Sequence, residues 1–172
     1  MSEKESTSFK EKYGENYSQH YFDQYKIYIE SIEKISDRRE SANKYFFALN
    51  SGIIVSAGFI VNSSLGEGLK ILALLILAVL GIIFSGTFWF LINSYKQLNS
   101  GKLRILHKIE ENLPIKMYAD EWVELGQGND MKKYLPFSHI ERVVPVIFGV
   151  LYLLCLAAIG FWFIIFIFSR CI

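Results

Sequence analysis

Apolar residues gather in three runs, Tyr45 to Val61, Leu69 to Ile92 and Val143 to Phe168, and Lys70 is the one charged residue inside them. A helix needs about 20 apolar residues to cross the roughly 30 Å hydrocarbon core of a bilayer. The second and third runs exceed that length, while the first is nearer the lower limit and carries Asn50, Ser51 and Ser56. The pattern predicts an all-α integral membrane protein with three transmembrane helices per chain: a hairpin over 45–92 and a third span over 143–172. Polar blocks at 13–44 and 93–142 hold nearly all the charge and predict helical segments outside the bilayer. Residues 1–12, rich in Ser, Glu and Lys, read as a disordered N-terminus.

Outside the spans the periodicity is helical. Tyr21, Tyr25, Tyr28, Ile32 and Ile35 recur in alternating steps of four and three, and Asp23, Lys26, Glu30, Glu33 and Lys34 occupy the other face. Two readings of this stripe stand side by side: it packs on the chain's own polar segment, or it is an oligomer stripe joining neighbouring subunits. Neither Pro nor Gly occurs between Glu15 and Ser51, so the helix is expected to continue into the first span. The second span should extend past Asn93, with Leu106, Ile109 and Leu113 as its apolar side and Pro114 as its stop. A short helix around Tyr118–Trp122 and a loop over Gly126–Asp130 follow. Ser138 and Glu141 fit a capping box, with Pro145 in the first turns of the third span. Small residues at helical spacing, Ala48, Gly52 and Ser56 in the first span and Ala78, Gly81 and Ser85 in the second, mark helix-packing seams. Within one hairpin these seams would bring the first two spans together.

Charge sets the topology. The turn Asn62–Gly68 has no Lys or Arg, and both polar blocks are rich in them. The positive-inside rule then places the N-terminus and 93–142 in the cytoplasm. No secretory signal pattern precedes the first run, which therefore reads as a retained anchor. A net charge of +1 leaves no electrostatic footprint for nucleic acid, so direct nucleic-acid binding is not predicted.

Candidate chemistry is sparse. His20, His107 and His139 stand in separate contexts, and His107 with Glu110 or Glu111 reads as an exposed helix histidine rather than an acid–base pair. Cys155 reads as a small packing residue, and Cys171 is too far along the helix to pair with it. No phosphate loop and no metal-ligand spacing occurs, so no catalytic residue, cofactor or metal is predicted and the expectation is a protein that is not an enzyme. The spans carry no midplane charge, which argues against an ion-coupled transporter. An anchor, a scaffold or a pore built from several copies remains. For a pore, Asn50, Ser51 and Ser56 are the candidate lining, and Arg38 and Arg39 the candidate mouth.

Several polar strings carry a resemblance. They are Ile35-Ser36-Asp37-Arg38-Arg39-Glu40-Ser41-Ala42-Asn43, Ser94-Tyr95-Lys96-Gln97-Leu98-Asn99-Ser100-Gly101-Lys102, Asp120-Glu121-Trp122, Leu125-Gly126-Gln127-Gly128 and Tyr134-Leu135-Pro136-Phe137-Ser138-His139-Ile140-Glu141. In that order the chain resembles the RipA-type family of small octameric bacterial membrane proteins, and within it the membrane accessory proteins of type VI-B CRISPR systems. The resemblance implies an octameric ring forming a pore, with an RNA-guided CRISPR ribonuclease effector as functional partner and membrane depolarisation as outcome. Two alternatives stay beside it: a non-conducting membrane scaffold that recruits a cytoplasmic partner, and a membrane-tethered HEPN-like ribonuclease. The ribonuclease motif places His four to six positions after Arg. Arg104 and His107 are three apart and Arg142 has no His after it, so no nuclease site carries over.

Overall fold

A computed structural model of the chain describes residue 11 and residues 13–129 and 132–171, apart from the side chains of 137, 138 and 166–171. The disordered segment expected at 1–12 therefore lies outside the described residues, residue 11 excepted, as do the side chains of Ser138, Phe166, Phe168 and Cys171. The helices that build the fold among the described residues are α1 (Tyr17–Val61), α2 (Glu67–Glu110), α3 (Met117–Glu124) and α4 (Phe137–Cys171). A 3-10 turn at Gly126–Gly128 separates α3 from α4, and no strand occurs among the described residues. The protein is an all-α membrane protein, with three helices among the described residues long and apolar enough to span a bilayer.

Each of the two long helices is part span and part extramembrane arm. α1 has 45 residues, about 68 Å at 1.5 Å per residue, more than twice the thickness of the hydrocarbon core. The chain reverses at Asn62–Gly66, and α2 returns antiparallel along the full length of α1. Tyr25 meets Glu110, Ser31 meets Lys102 and Phe46 meets Phe88, so one chain retreats as the other advances. α4 packs on α2 and runs parallel to α1 in constant register: Arg39 meets Glu141 and Asn50 meets Tyr152, both 102 residues apart.

The three spans close on an aromatic core just inside the apolar half. Phe46 and Phe88 stack with centroids 4.1 Å apart, Phe148 sets its edge against Phe46, and Ile92, Ala42 and Val144 complete the cluster. Outward-facing residues such as Phe59 and Phe161 stay open, as expected of side chains whose solvent is lipid.

The ends of α2 and α4 depart from expectation in instructive ways. α2 stops at Glu110, four residues before Pro114, and Asn112 and Leu113 turn back to hydrogen-bond the carbonyls of Ile109 and Glu110. α4 begins at Phe137, which puts Pro145 in its interior rather than in its first turns. Its missing N–H spares the carbonyl of Glu141 a helical bond, and the ring itself is buried. The capping box is corrected on the Glu141 side: that carboxylate does not reach back along α4 but crosses to α1.

Candidate functional site

Asn50, expected in a lumen, is fully enclosed within the subunit. Its amide nitrogen donates to the Phe46 carbonyl at 2.8 Å, and its oxygen accepts from the Tyr152 hydroxyl at 2.7 Å. The Tyr152 ring lies directly on Gly81, where an added Cβ would stand 2.5 Å from ring carbons. Asn50, Tyr152 and Gly81 thus lock α1, α4 and α2 together. The physical reason is that a buried amide in an apolar setting needs both ends satisfied, and Tyr152 is the hydroxyl at the right height to do it. Ser51 and Ser56 are exposed on the subunit surface.

The small-residue seams also sort differently from the expected hairpin pairing. Ala78, Gly81 and Ser85 are buried, and they receive α4: Gly149 approaches Ser85, and Tyr152 covers Gly81. Ala48 and Gly52 are exposed, and a Cβ on Gly52 would meet nothing within 4 Å. The seam on α1 is therefore unused inside the subunit. Cys155 is exposed on α4 rather than packed.

Arg38 and Arg39 part company as well. Arg38 is exposed, whereas Arg39 forms an ion pair with Glu141, its Nε donating to Oε2 at 2.6 Å. Asn43 donates to the other carboxylate oxygen at 2.7 Å. Glu141 is 6% exposed, so this is a nearly enclosed clamp between α1 and α4 beside the first turn of the third span. Of the pair, Arg38 alone has the exposure a mouth residue needs.

The oligomer stripe is corrected too, because α2 covers it. Tyr25 and Ile35 are buried, and Tyr21, Tyr28 and Ile32 are half-buried. Tyr21 donates to the Ile109 carbonyl at 2.6 Å, and the Lys102 ammonium lies over the Tyr28 ring while donating to Ser31 Oγ at 2.7 Å. A heptad on α1 needs one partner helix, and the antiparallel arm of the same chain supplies it. Apolar groups left uncovered in this half include Phe22, Ile27, Leu98, Ile105, Ile115, Met117 and Val123.

At the top of that helical pair sits the most constrained charged group. Glu110 has no exposed surface, and its carboxylate accepts from the Tyr25 hydroxyl and from the backbone N–H groups of Tyr118 and Ala119, each at 3.0 Å. A carboxylate from α2 therefore caps the N-terminus of α3, where orphan N–H groups and the helix dipole favour negative charge. Burial, with the hydrogen bond to Glu110 and its charge, pushes the Tyr25 hydroxyl up to about 12. Burial also raises Tyr118, helped by the charges of Glu33, Glu121 and Glu110. Tyr21 is raised by burial as well, the hydrogen bond from Asn112 working against it.

Arg104 and His107 face different surroundings. His107 borders a small hollow with Trp122, Tyr118, Glu121 and Tyr134, whereas Arg104 lines a separate recess with Lys96 and Arg142. His20 lies 2.9 Å from the Tyr13 hydroxyl, and His139 is exposed. The Gly126–Gly128 turn owes its glycines to backbone shape, since all three of its residues have positive φ and Trp122 sits against Gly128.

Sequence reasoning missed Glu110, Glu141 and Tyr152 as structural centres. For Tyr152 a signal existed: it is the lone hydroxyl in the long apolar stretch between Pro145 and Phe168. Glu110 and Glu141 carried none, because a charged residue in a helix has no local mark of the partner it will meet.

Among known proteins, a family model described as the octameric membrane protein family (8xMP) matches residues 22–169, a stretch that takes in all three spans. No curated protein and no solved structure matches the chain.

Proposed function

The chain belongs to the octameric membrane protein family, and on that premise we propose that eight copies close into a ring enclosing a membrane pore. The pore enhances RNA-guided CRISPR antiphage defence by permeabilising or depolarising the bacterial inner membrane on infection. The observation that carries the oligomeric reading is the unused α1 seam. Ala48, Gly52 and Ser56 present small side chains to the outside of the subunit, while the comparable seam on α2 is consumed by α4. Small residues allow close helix approach where lipid offers no hydrophobic drive, so the open seam suits a neighbouring copy. One subunit has no conduit of its own: its spans meet on stacked phenylalanines and an enclosed amide. Water must then run between copies, and a single head-to-tail interface closes a ring. Ser51 and Ser56 remain the lining candidates, and Arg38 the candidate at the mouth.

Orientation follows the same charge argument as before. The α1–α2 connection lacks Lys and Arg, and the arms are rich in both, which supports a cytoplasmic N-terminus and cytoplasmic arms. On this reading the protein acts without catalytic chemistry, and the CRISPR effector is a functional partner. The scaffold alternative draws on the exposed apolar residues of the arms, Ile115, Met117 and Val123 among them.

The test is imaging of the detergent-solubilised complex together with ion efflux from liposomes holding it. An eightfold ring whose efflux changes on Ser51→Leu or Ser56→Leu supports the pore. A ring without efflux, with a cytoplasmic protein co-purifying through the arms, supports the scaffold. A stable monomer refutes both the ring and the pore.

A further inference from the structure

We propose that the recess between the start of α4 and the first extramembrane turns of α2 binds a phosphate-bearing anion at the membrane boundary. Its wall is Asn93, Lys96, Gln97, Ser100 and Arg104 from α2 and Arg142 from α4, around a cavity of about 330 Å3. The α2 residues follow one another at steps of three, one, three and four, so they share one side of the helix. Lys96 and Arg104, eight positions apart, are separated by about 12 Å along the axis, wide enough for a phosphate with its ester substituent between them.

Three features favour an anion. First, the described lining brings together three cations and no carboxylate. The nearest acid in sequence, Glu141, is held by Arg39 and Asn43 on α1. Second, Arg142 Nε is enclosed and has no hydrogen-bond partner among the described residues, an expensive state for a charged donor unless a ligand completes it. Third, the neutral members are the amides of Asn93 and Gln97 and the Ser100 hydroxyl, which suit polar oxygens rather than acyl chains. Guanidinium forks match the tetrahedral oxygens of phosphate and bind them through paired, charge-assisted bonds.

Depth favours the membrane as one source. Asn93 directly follows the second apolar run, and Arg142 directly precedes the third. The recess therefore begins where hydrocarbon ends, at the level of lipid headgroups. Soluble phosphate reaches the same place from the aqueous side. Both sources present the same chemistry, and the experiment separates them.

The assembled full-length protein is placed in nanodiscs of phosphatidylcholine, with or without phosphatidylglycerol. Retained lipid is measured by native mass spectrometry, and the thermal midpoint is recorded with and without inorganic phosphate in the phosphatidylcholine sample. Wild type is expected to retain phosphatidylglycerol preferentially. Arg104→Gln with Arg142→Gln should lower that preference on the order of tenfold, and the Lys pair at both positions should keep most of it. Lys44→Gln, on an exposed side chain near the same boundary, should leave it unchanged. If inorganic phosphate instead raises the midpoint of wild type and not of the double variant, the same recess serves a soluble ligand. Should the double variant fail to assemble, Arg104→Gln alone, on an exposed side chain, is expected to give about a fivefold loss. The proposal is overturned if neither lipid preference nor phosphate stabilisation distinguishes these variants from wild type, or if Lys44→Gln weakens both equally.

Discussion

Replacing Glu110 with alanine should undock α3 while leaving the long helices paired. The carboxylate is fully buried and accepts three hydrogen bonds at 3.0 Å, one from Tyr25 and two from the backbone that starts α3. α3 has eight residues and none is buried, so neither intrinsic helix stability nor a core of its own holds it in place. Stranding buried neutral donors costs about 1–3 kcal/mol apiece, hence about 3–5 kcal/mol for the three with partial rehydration. Confined to α3, the lower end of that range corresponds to at least about a hundredfold faster amide exchange. Hydrogen exchange resolved at Tyr118 and Ala119 measures the effect, with the α1–α2 arm as internal reference and Trp122 fluorescence as a second probe. Glu110→Gln keeps the shape and removes the charge. A double-mutant cycle of Glu110→Ala with Tyr25→Phe should return a coupling of about 1.5–3 kcal/mol, the range for a hydrogen bond to a charged group, and the cycle with Glu110→Gln a smaller one. Unchanged protection at Tyr118 and Ala119 in Glu110→Ala would refute the reasoning, since the cap would then be contributing nothing.

The other expectations follow from the same contacts. Gly81→Ala puts a methyl 2.5 Å from the Tyr152 ring and should cost about 1–3 kcal/mol in thermal stability, whereas Gly52→Ala meets nothing within the subunit and should be neutral for the monomer. Tyr152→Phe leaves the buried Asn50 oxygen without its donor, at about 1–3 kcal/mol by the same melting assay. Glu141→Ala removes the acceptor that Arg39 and Asn43 share and should loosen α1 from α4, with a loss of roughly 3 kcal/mol and faster proteolysis near residue 139. For pH, the raised Tyr25 hydroxyl means the folded arm binds more protons than the unfolded chain between about 10 and 12. Stability is therefore intact below about pH 10 and falls as pH rises through 12, and Tyr25→Phe should flatten that slope in alkaline titration followed by circular dichroism.

Element types were legible in the sequence because they depend on local pattern. Length and hydropathy mark the three spans, and the absence of Gly and Pro from Glu15 to Ser51 marks α1 as continuous. Partnership was harder to see, since a heptad face states that it is covered and not by what. Tyr21, Tyr25, Tyr28, Ile32 and Ile35 read equally well against a second subunit or against α2. The arm of α2 decided it by ending at Glu110, beside Tyr25. The same ambiguity moved Asn50 from a lumen to an interior, because a polar residue in an apolar run advertises a need for a partner and leaves the partner unnamed. The α1 and α2 seams have the same composition, yet one is buried and the other open. What separates them is Tyr152, 71 residues downstream of Gly81, which no window on either span includes.

The three polar ties stand at different depths and join different helices. Asn50 and Tyr152 link α1 to α4 within the apolar half, Arg39 and Asn43 link α1 to α4 through Glu141 at its edge, and Glu110 links α1, α2 and α3 at the far end of the arms. Between them the aromatic core fills the space where α1, α2 and α4 meet. A helix that slid along its neighbour would break a tie at one depth while the others resisted, so motion inside the subunit is opposed along its whole length. Surfaces outside these ties meet no such resistance: the open α1 seam, the exposed arm residues and Arg38. In an assembly of such subunits, opening and closing would fall on the contacts between copies, where small residues and lipid-facing side chains can exchange neighbours at low cost. The subunit then behaves as a rigid stave, and in the proposed pore control would lie in how staves meet.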